Sequence, residues 1–302
     1  YKIKIMDLEG HIVELTQLRY FQTAAYYQHI SRAAEELNIS QPALSTMISR
    51  LEKELGVPLF DHNGRSIILN QNGQRFLQRV NHILMEVENS KRELQDIADE
   101  GDNSISLAVS SSQFLQGMHA FMYQHPNYKW NQRVAENKEI AALLNRGQID
   151  LAVTSPGIYG EVFESTLLLR DIFKLAVHKD NPLAQRKSVR LEELTDQRFI
   201  MLLKGLPFRA QTDRIFADLG ITPHYIMECD HLLRRELINA NAGVTIASQS
   251  ASFRHLFSEN ICFLDIEDVH HTRDIVMVHR KGRYLNRASR QFADFLKQKF
   301  SP

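Results

Sequence analysis

The 302-residue chain is 43% hydrophobic, 9% aromatic and 24% charged, proportions that exclude a disordered, collagen-like or disulfide-stapled protein and allow about two domains. Its 36 lysines and arginines balance 36 aspartates and glutamates, so a polyanionic partner must be sought in local arrangement rather than in total charge. No apolar run approaches the roughly 20 residues of a membrane-spanning helix, and no hydrophobic leader with a small-residue cleavage site is seen, so a cytoplasmic protein with no membrane partner is expected.

Residues 1–12 carry no functional argument. Over residues 16–28, Leu18, Phe21, Ala24 and Ala25 recur at helical spacing, with Thr16 as the expected N-cap. A second helix is expected from Ser31, whose hydroxyl caps its first turn, to Leu37, where Asn38 and Ile39 break it. Ser40 then caps a third helix, Pro42 sits in its first turn at no hydrogen-bonding cost, and Gly56 stops it. Ala43, Leu44, Ile48, Leu51 and Leu55 form its expected inward stripe, leaving Gln41, Ser45, Thr46, Ser49 and Arg50 outward.

Two short helices joined by a tight turn make a helix-turn-helix, whose second helix can present its N-terminal residues to base edges in the major groove. An ordinary polar surface helix has the same local spacing. The next segment separates the two readings: residues 57–62 and 65–69 are extended runs around Asn63-Gly64, a two-residue hairpin signal, and a hairpin in this place is a wing.

Residues 15–73 resemble the N-terminal domain of LysR-type transcriptional regulators. The match rests on Ala33-Ala34, Leu37, Ser40-Gln41-Pro42-Ala43-Leu44-Ser45, Ile48, Leu51-Glu52, Leu55-Gly56, Leu59-Phe60 and Gly73, in that order. The resemblance implies a DNA-contacting set of Ser31, Gln41, Pro42, Ser45, Thr46, Ser49, Arg50, His62 and Arg65. His62 stands where the family usually carries a minor-groove arginine, and Arg65 is the cation that would replace it. Residues 14–69 hold five Lys/Arg against six Asp/Glu, so phosphate neutralisation by one copy is weak and several copies binding together are expected.

After Gly73, Phe76, Ile83, Ser90 and Ile97 alternate with Val80, Val87 and Leu94 in a seven-residue repeat. The expected seam of a coiled coil is Phe76, Val80, Ile83, Val87, Leu94 and Ile97; a helix packed on its own domain would carry a similar stripe. In the family this segment is the linker helix that joins two subunits, which implies a homodimer or homotetramer.

Beyond residue 103 short apolar runs alternate with helical segments. The strands expected are 105–109, 149–153, 172–177, 199–203, 225–227, 244–247 and 274–279, and the helices include 113–123 and 138–146. Ligands of open α/β sheets bind beyond the carboxyl ends of the strands, where Ser110, Ser111 and Ser112 follow the first strand and Thr154 and Ser155 a later one. Hydroxyls and helix-start N–H groups suit an anionic small molecule, although such serines also serve as plain caps.

This half resembles the LysR-type effector domain more loosely, through residues 147–153, 179–183 and 241–246. The implied fold is an α/β domain of two Rossmann-like, periplasmic-binding-protein-like subdomains, preceded by an all-α winged helix-turn-helix domain and a long linker helix. The implied boundaries are 14–72 for the DNA-binding domain, 73–100 for the dimerisation helix and 104–302 for the regulatory domain. The effector cleft would be lined by Ser110, Ser111, Ser112, Asn137, Thr154, Ser155, Lys204, Arg209 and Asp230. Operator DNA, a small-molecule effector and RNA polymerase are the implied partners.

Other readings have less behind them. His270, His271 and His279 do not chelate readily, since adjacent strand residues point to opposite faces, and no HExxH, GxSxG, P-loop or strand-linked GxGxxG occurs. No enzyme, metal site or cofactor is expected; a carrier would not need the winged helix-turn-helix, and an architectural DNA-binding protein leaves about two hundred residues of α/β pattern unexplained. Cys229 and Cys262 lack metal-ligand spacing, and a redox switch made by this pair is the alternative regulatory reading.

Overall fold

Ser40 starts the helix around which the N-terminal unit is built: its hydroxyl accepts a 3.4 Å hydrogen bond from the Ala43 amide, and Gly56 ends the helix at φ +71°. The computed structural model describes residues 4–6, 12–63, 66–97, 103–249 and 257–300, and divides into two units, Tyr1–Gly101 and Asp102–Pro302.

In the first unit, β1 (Lys4–Met6) and β2 (Ile12–Glu14) form an antiparallel ribbon ahead of α1 (Leu15–Tyr27). Glu14, not Thr16, caps α1: it forms a capping box with Gln17, whose Oε1 accepts from the Glu14 amide at 2.7 Å. α2 (Ile30–Glu36) starts one residue before Ser31, so the Ser31 hydroxyl is not a cap and has another partner. α3 (Gln41–Leu55) buries Leu44, Ile48 and Leu51 as its stripe predicts, whereas Ala43, at the open first turn, is exposed. β3 (Phe60–Asn63) and β4 (Ser66–Leu69) pair as the wing, and α4 (Gln71–Ile97) follows.

Phe21 centres this core, with ring centroids 5.5 Å from Phe60 and 5.1 Å from Phe76; burial of such a side chain is worth roughly 1.5–3 kcal/mol. Gly73 is required where α4 meets the wing, because a Cβ there would lie 2.1 Å from the Leu59 carbonyl oxygen.

The second unit is two α/β lobes. β5 (Ser104–Val109) lies parallel to β6 (Lys129–Val134) and β7 (Leu151–Thr154), and β7 pairs with β14 (Thr272–Arg280). The long β8 (Phe163–His178) links the lobes: its first part pairs with β14, and its last residues pair with β12 (Thr245–Ser248) on one side and β13 (Ile261–Ile266) on the other. β9 (Ser188–Val189) extends the β13 edge, while β10 (Phe199–Leu202) bridges to Val244 and pairs with β11 (Tyr225–Cys229). The helices are α5 (His119–Gln124), α6 (Asn137–Asn145), α7 (Pro207–Asp218), α8 (His231–Asn239) and α9 (Arg287–Phe300). Apolar clusters cover both faces of each sheet, which is why the central strands read as continuous hydrophobic runs.

Two expectations change here. The helix expected over 113–123 is a 3-10 turn, Ser112–Leu115, followed by α5, because Gly117 takes φ +79° between them. The strands β6 and β13 and the first half of β8 add to those expected from sequence.

Candidate functional site

On the head, α3 presents Gln41, Pro42, Thr46, Ser49 and Arg50 to solvent, with Ser45 half-buried among them. Ser31 Oγ donates to Gln41 Oε1 at 3.1 Å, which leaves the Gln41 amide N–H groups outward. Thr46 Oγ1 donates back to the Pro42 carbonyl at 2.8 Å, turning its hydroxyl proton away from the groove side. Arg50 Nε donates to Glu54 Oε1 at 2.8 Å, and Gln17 Nε2 donates to the other oxygen of Glu54 at 3.0 Å. Glu52 accepts from the Leu59 and Phe60 amides, tying the wing to α3. The His62 side chain and Arg65 lie outside the described residues.

The seam divides in two. Val80 is fully buried and Phe76 packs on Phe21, so both belong to the head's own core and are corrected out of the dimer seam. The first turns of α4 pack on α1, and further along the helix Met85 and Asn89 are buried as well. Val87 is half-buried, but Ile83, Leu94 and Ile97 are exposed, the last two at 67% and 74%. Ser90 returns its hydroxyl to the Glu86 carbonyl and is satisfied within the helix.

In the second unit Ser110, Ser111, Ser112 and Ser155 come together as expected, lining a cavity of about 110 Å³ with Phe114, Phe208, His231 and Arg273. Ser110 Oγ accepts from the Ser155 amide at 3.0 Å, and Ser111 Oγ accepts from the Gln113 amide. A neighbouring lobe of about 190 Å³ shares Ser112, Phe208, His231 and Arg273, and adds Gln116, Arg234, Arg235 and Ser248. A wider recess of about 500 Å³ opens beyond Arg273, between Tyr159 and Arg214.

The buried charge in this cleft comes from two arginines that sequence reasoning missed, Arg273 and Arg234. Arg273 leaves β14 beside Asp171, lies 4.7 Å from the Phe208 ring centroid and 5.3 Å from that of Phe114, and donates from Nε to Ser155 Oγ at 3.2 Å. Arg234 faces the Phe208 ring at 5.5 Å and donates to the Ile246 carbonyl, while its Nε is buried with no partner among the described residues. Burial lowers both guanidinium pKa values to about 10, so both remain charged at neutral pH. Burial, then the charges of Arg234 and Arg273, lower His231 to about 4 and keep it neutral. Lys299 donates to the Phe114 and Gln116 carbonyls and pins the turn that carries Ser112 and Gln116.

The other five expected effector residues line none of these cavities. Arg209 is spent on structure: it binds Asp213 at 2.6 Å, Glu228 at 2.9 Å and the Leu202 carbonyl. Burial works against its charge, but the hydrogen bonds with Asp213 and Glu228 outweigh it and raise its pKa. Asp230 caps α8 by accepting from the Leu232 and Leu233 amides. Lys204 is exposed and lines none of these three cavities. Thr154 is fully buried behind Ser155 and does not line them either. Asn137 opens α6 and donates to the Pro156 carbonyl at the rim of the wider recess.

Cys229 and Cys262 do not meet. They lie on β11 and β13, strands separated by β10, β12 and β8, about four strand spacings or ~19 Å apart, against the ~6 Å Cα separation of a disulfide. Burial raises the Cys229 thiol pKa, which lowers its reactivity. No group of three His, Cys, Asp or Glu side chains among the described residues could hold a metal ion. No helix among them is long and apolar enough to cross a membrane.

The family model described as "Bacterial regulatory helix-turn-helix protein, lysR family" matches residues 15–74, and that described as "LysR substrate binding domain" matches residues 99–301. An uncharacterised HTH-type transcriptional regulator of Bacillus subtilis, YybE, is 31% identical over 96% of this chain and 100% of its own length. A full-length OxyR variant from Pseudomonas aeruginosa shares the fold with TM-score 0.65 and 20% identity over 96% of this chain and 95% of that one. Full-length CbnR, solved with its target DNA, shares it with TM-score 0.55 and 21% identity over 96% and 100%. The chain belongs to the LysR family of DNA-binding transcriptional regulators, with an N-terminal helix-turn-helix and a C-terminal substrate-binding domain.

Proposed function

We propose that this regulator works in the cytoplasm as a homodimer or homotetramer whose paired heads read a dyad-like operator, and that a small anion bound between the lobes of the regulatory domain alters that grip. The working parts are a head over 14–72, a pairing helix over 73–100 and a sensor over 104–302. Gln41, Ser45, Thr46 and Ser49 read bases, Arg50 with the wing contacts the backbone, and RNA polymerase is the downstream partner. The near-neutral charge of the head favours binding as several copies, since one head neutralises few phosphates.

The observation that carries the sensor reading is Arg234. A buried guanidinium whose Nε has no partner is costly, and a bound anion would supply the missing acceptor and counter-charge. The anion acts only through unequal affinity for two arrangements of the assembly, so it must change DNA affinity or footprint.

The test is DNA binding by the full chain on duplexes selected from a random pool, with sedimentation in parallel. Two half-sites related by a dyad, and an assembly that loses cooperativity on dilution, are the expected results; one undivided site bound by a monomer would overturn the reading. A panel of small carboxylates should include one that shifts the melting temperature of the parent and not of Arg234→Met.

A further inference from the structure

A carboxylate satisfies the arginines of the cleft but leaves a buried acceptor on the same walls unanswered. Gln116 Oε1 and His231 Nδ1 are both buried without a hydrogen-bond partner among the described residues, and both residues line the 190 Å³ lobe with Arg234. A carboxamide oxygen only accepts, so a bare carboxylate gives it nothing, and an unsatisfied buried acceptor costs roughly 1–3 kcal/mol. Ser112 and Ser248 stand on the same walls and add polar groups beside Gln116 and His231. Both lobes are smaller than the roughly 300–1,000 Å³ typical of pockets for drug-sized ligands, which limits the occupant to a compact molecule.

We propose that the effector is a small hydroxy- or amino-carboxylate, its carboxylate facing Arg234 and Arg273 and its O–H or N–H groups donating to Gln116 Oε1 and to the His231 ring. This rests on the anionic-effector reading of the same cleft and adds the donor groups. Sites built to hydrogen-bond a substrate hydroxyl reject the analogue that lacks it far more strongly than hydrophobic pockets reject a missing methylene.

The experiment is calorimetric titration of the full chain, at matched ionic strength, with succinate, both enantiomers of malate, aspartate and uncharged butane-1,2,4-triol. Malate or aspartate should bind at least about tenfold tighter than succinate, and the triol should give no heat. Gln116→Met should bring that ratio within about threefold and leave succinate affinity unchanged, with the melting temperature as the check on folding. Arg234→Lys, which keeps the positive charge, should preserve the ranking. Succinate equal to or tighter than the donor-bearing acids overturns the donor inference and leaves the anion reading intact. Triol binding as well as the acids overturns the anion reading itself. Silence from every acid overturns the proposed class.

Discussion

Ser31 on α2 donates a 3.1 Å hydrogen bond to Gln41 on α3, joining the two helices of the head through a side chain proposed to read a base. The bond occupies the Gln41 carbonyl and leaves its N–H groups for an acceptor in the groove. Gln41→Ala should cost about 1–3 kcal/mol on the operator and relax preference at one base pair. Ser31→Ala should cost less, roughly 0.5–1.5 kcal/mol, and relax the same position. Fluorescence anisotropy on single-base-variant duplexes checks both; equal losses on every duplex would show that neither side chain takes part in base reading.

Arg50 shares Glu54 with Gln17, so its guanidinium is aimed but partly neutralised. Arg50→Ala should weaken all duplexes alike and reduce the slope of log K against log salt by about one, the signature of a phosphate contact. Glu54→Gln should strengthen binding to every duplex modestly by removing the competing carboxylate. A salt series on two unrelated duplexes measures both effects.

The two halves of α4 should respond differently to substitution. Val80→Ala opens a cavity in the head's core and should lower stability by about 1–3 kcal/mol without altering the dissociation constant of the assembly. Leu94→Glu falls on an exposed position and should leave the melting temperature of the dilute chain near that of the parent while weakening self-association. Denaturant melts and sedimentation equilibrium separate the two. Unchanged association in Leu94→Glu would place the pairing surface off this stripe.

His231 titrates near 4 in the folded protein against an ordinary value of 6.5. Its folded pKa is depressed, so between those values the unfolded chain holds a proton that the folded chain does not. Stability is therefore full above about pH 6.5, declines as pH falls toward 4 and levels off below, a loss of about 3 kcal/mol from this group. His231→Asn should flatten that part of the curve, as read from urea melts at about pH 7.5 and 4.5.

The head was legible because short-range rules govern it: the cap at Ser40, Pro42 in the first turn and the stop at Gly56 are local chemistry, whereas in the wing Asn63, expected in the turn, is the last paired residue of β3. Helix starts slipped where two side chains compete, as when Glu14 and Gln17 form a box that displaces Thr16. In the sensor the serine cluster was visible because it follows a strand. β6, with the residues Lys-Trp-Asn-Gln-Arg-Val, is a polar, mostly exposed edge strand and lacks the apolar run that marks its neighbours. Arg209 was misjudged and Arg234 and Arg273 were missed for one reason: a lone arginine in sequence does not reveal whether the fold brings it a carboxylate. Glu228 reaches Arg209 from 19 residues away, and Asp171 lies beside Arg273 across 102 residues. The one available signal was Arg234 placed one turn before Ile238, on the face that α8 buries.

Because Phe76 and Val80 are part of the head's core, α4 cannot swivel at its root, and head and helix move as a single lever. From Val80 to Ile97 that lever is ~26 Å long, so a change of ~10° in how two such helices cross would change the separation of the two heads by ~4–5 Å, more than the ~3.4 Å rise of one base pair. An operator of fixed half-site spacing then acts as a gauge of crossing angle. Lengthening the spacer by a single base pair should discriminate between arrangements of the assembly as sharply as a ligand does.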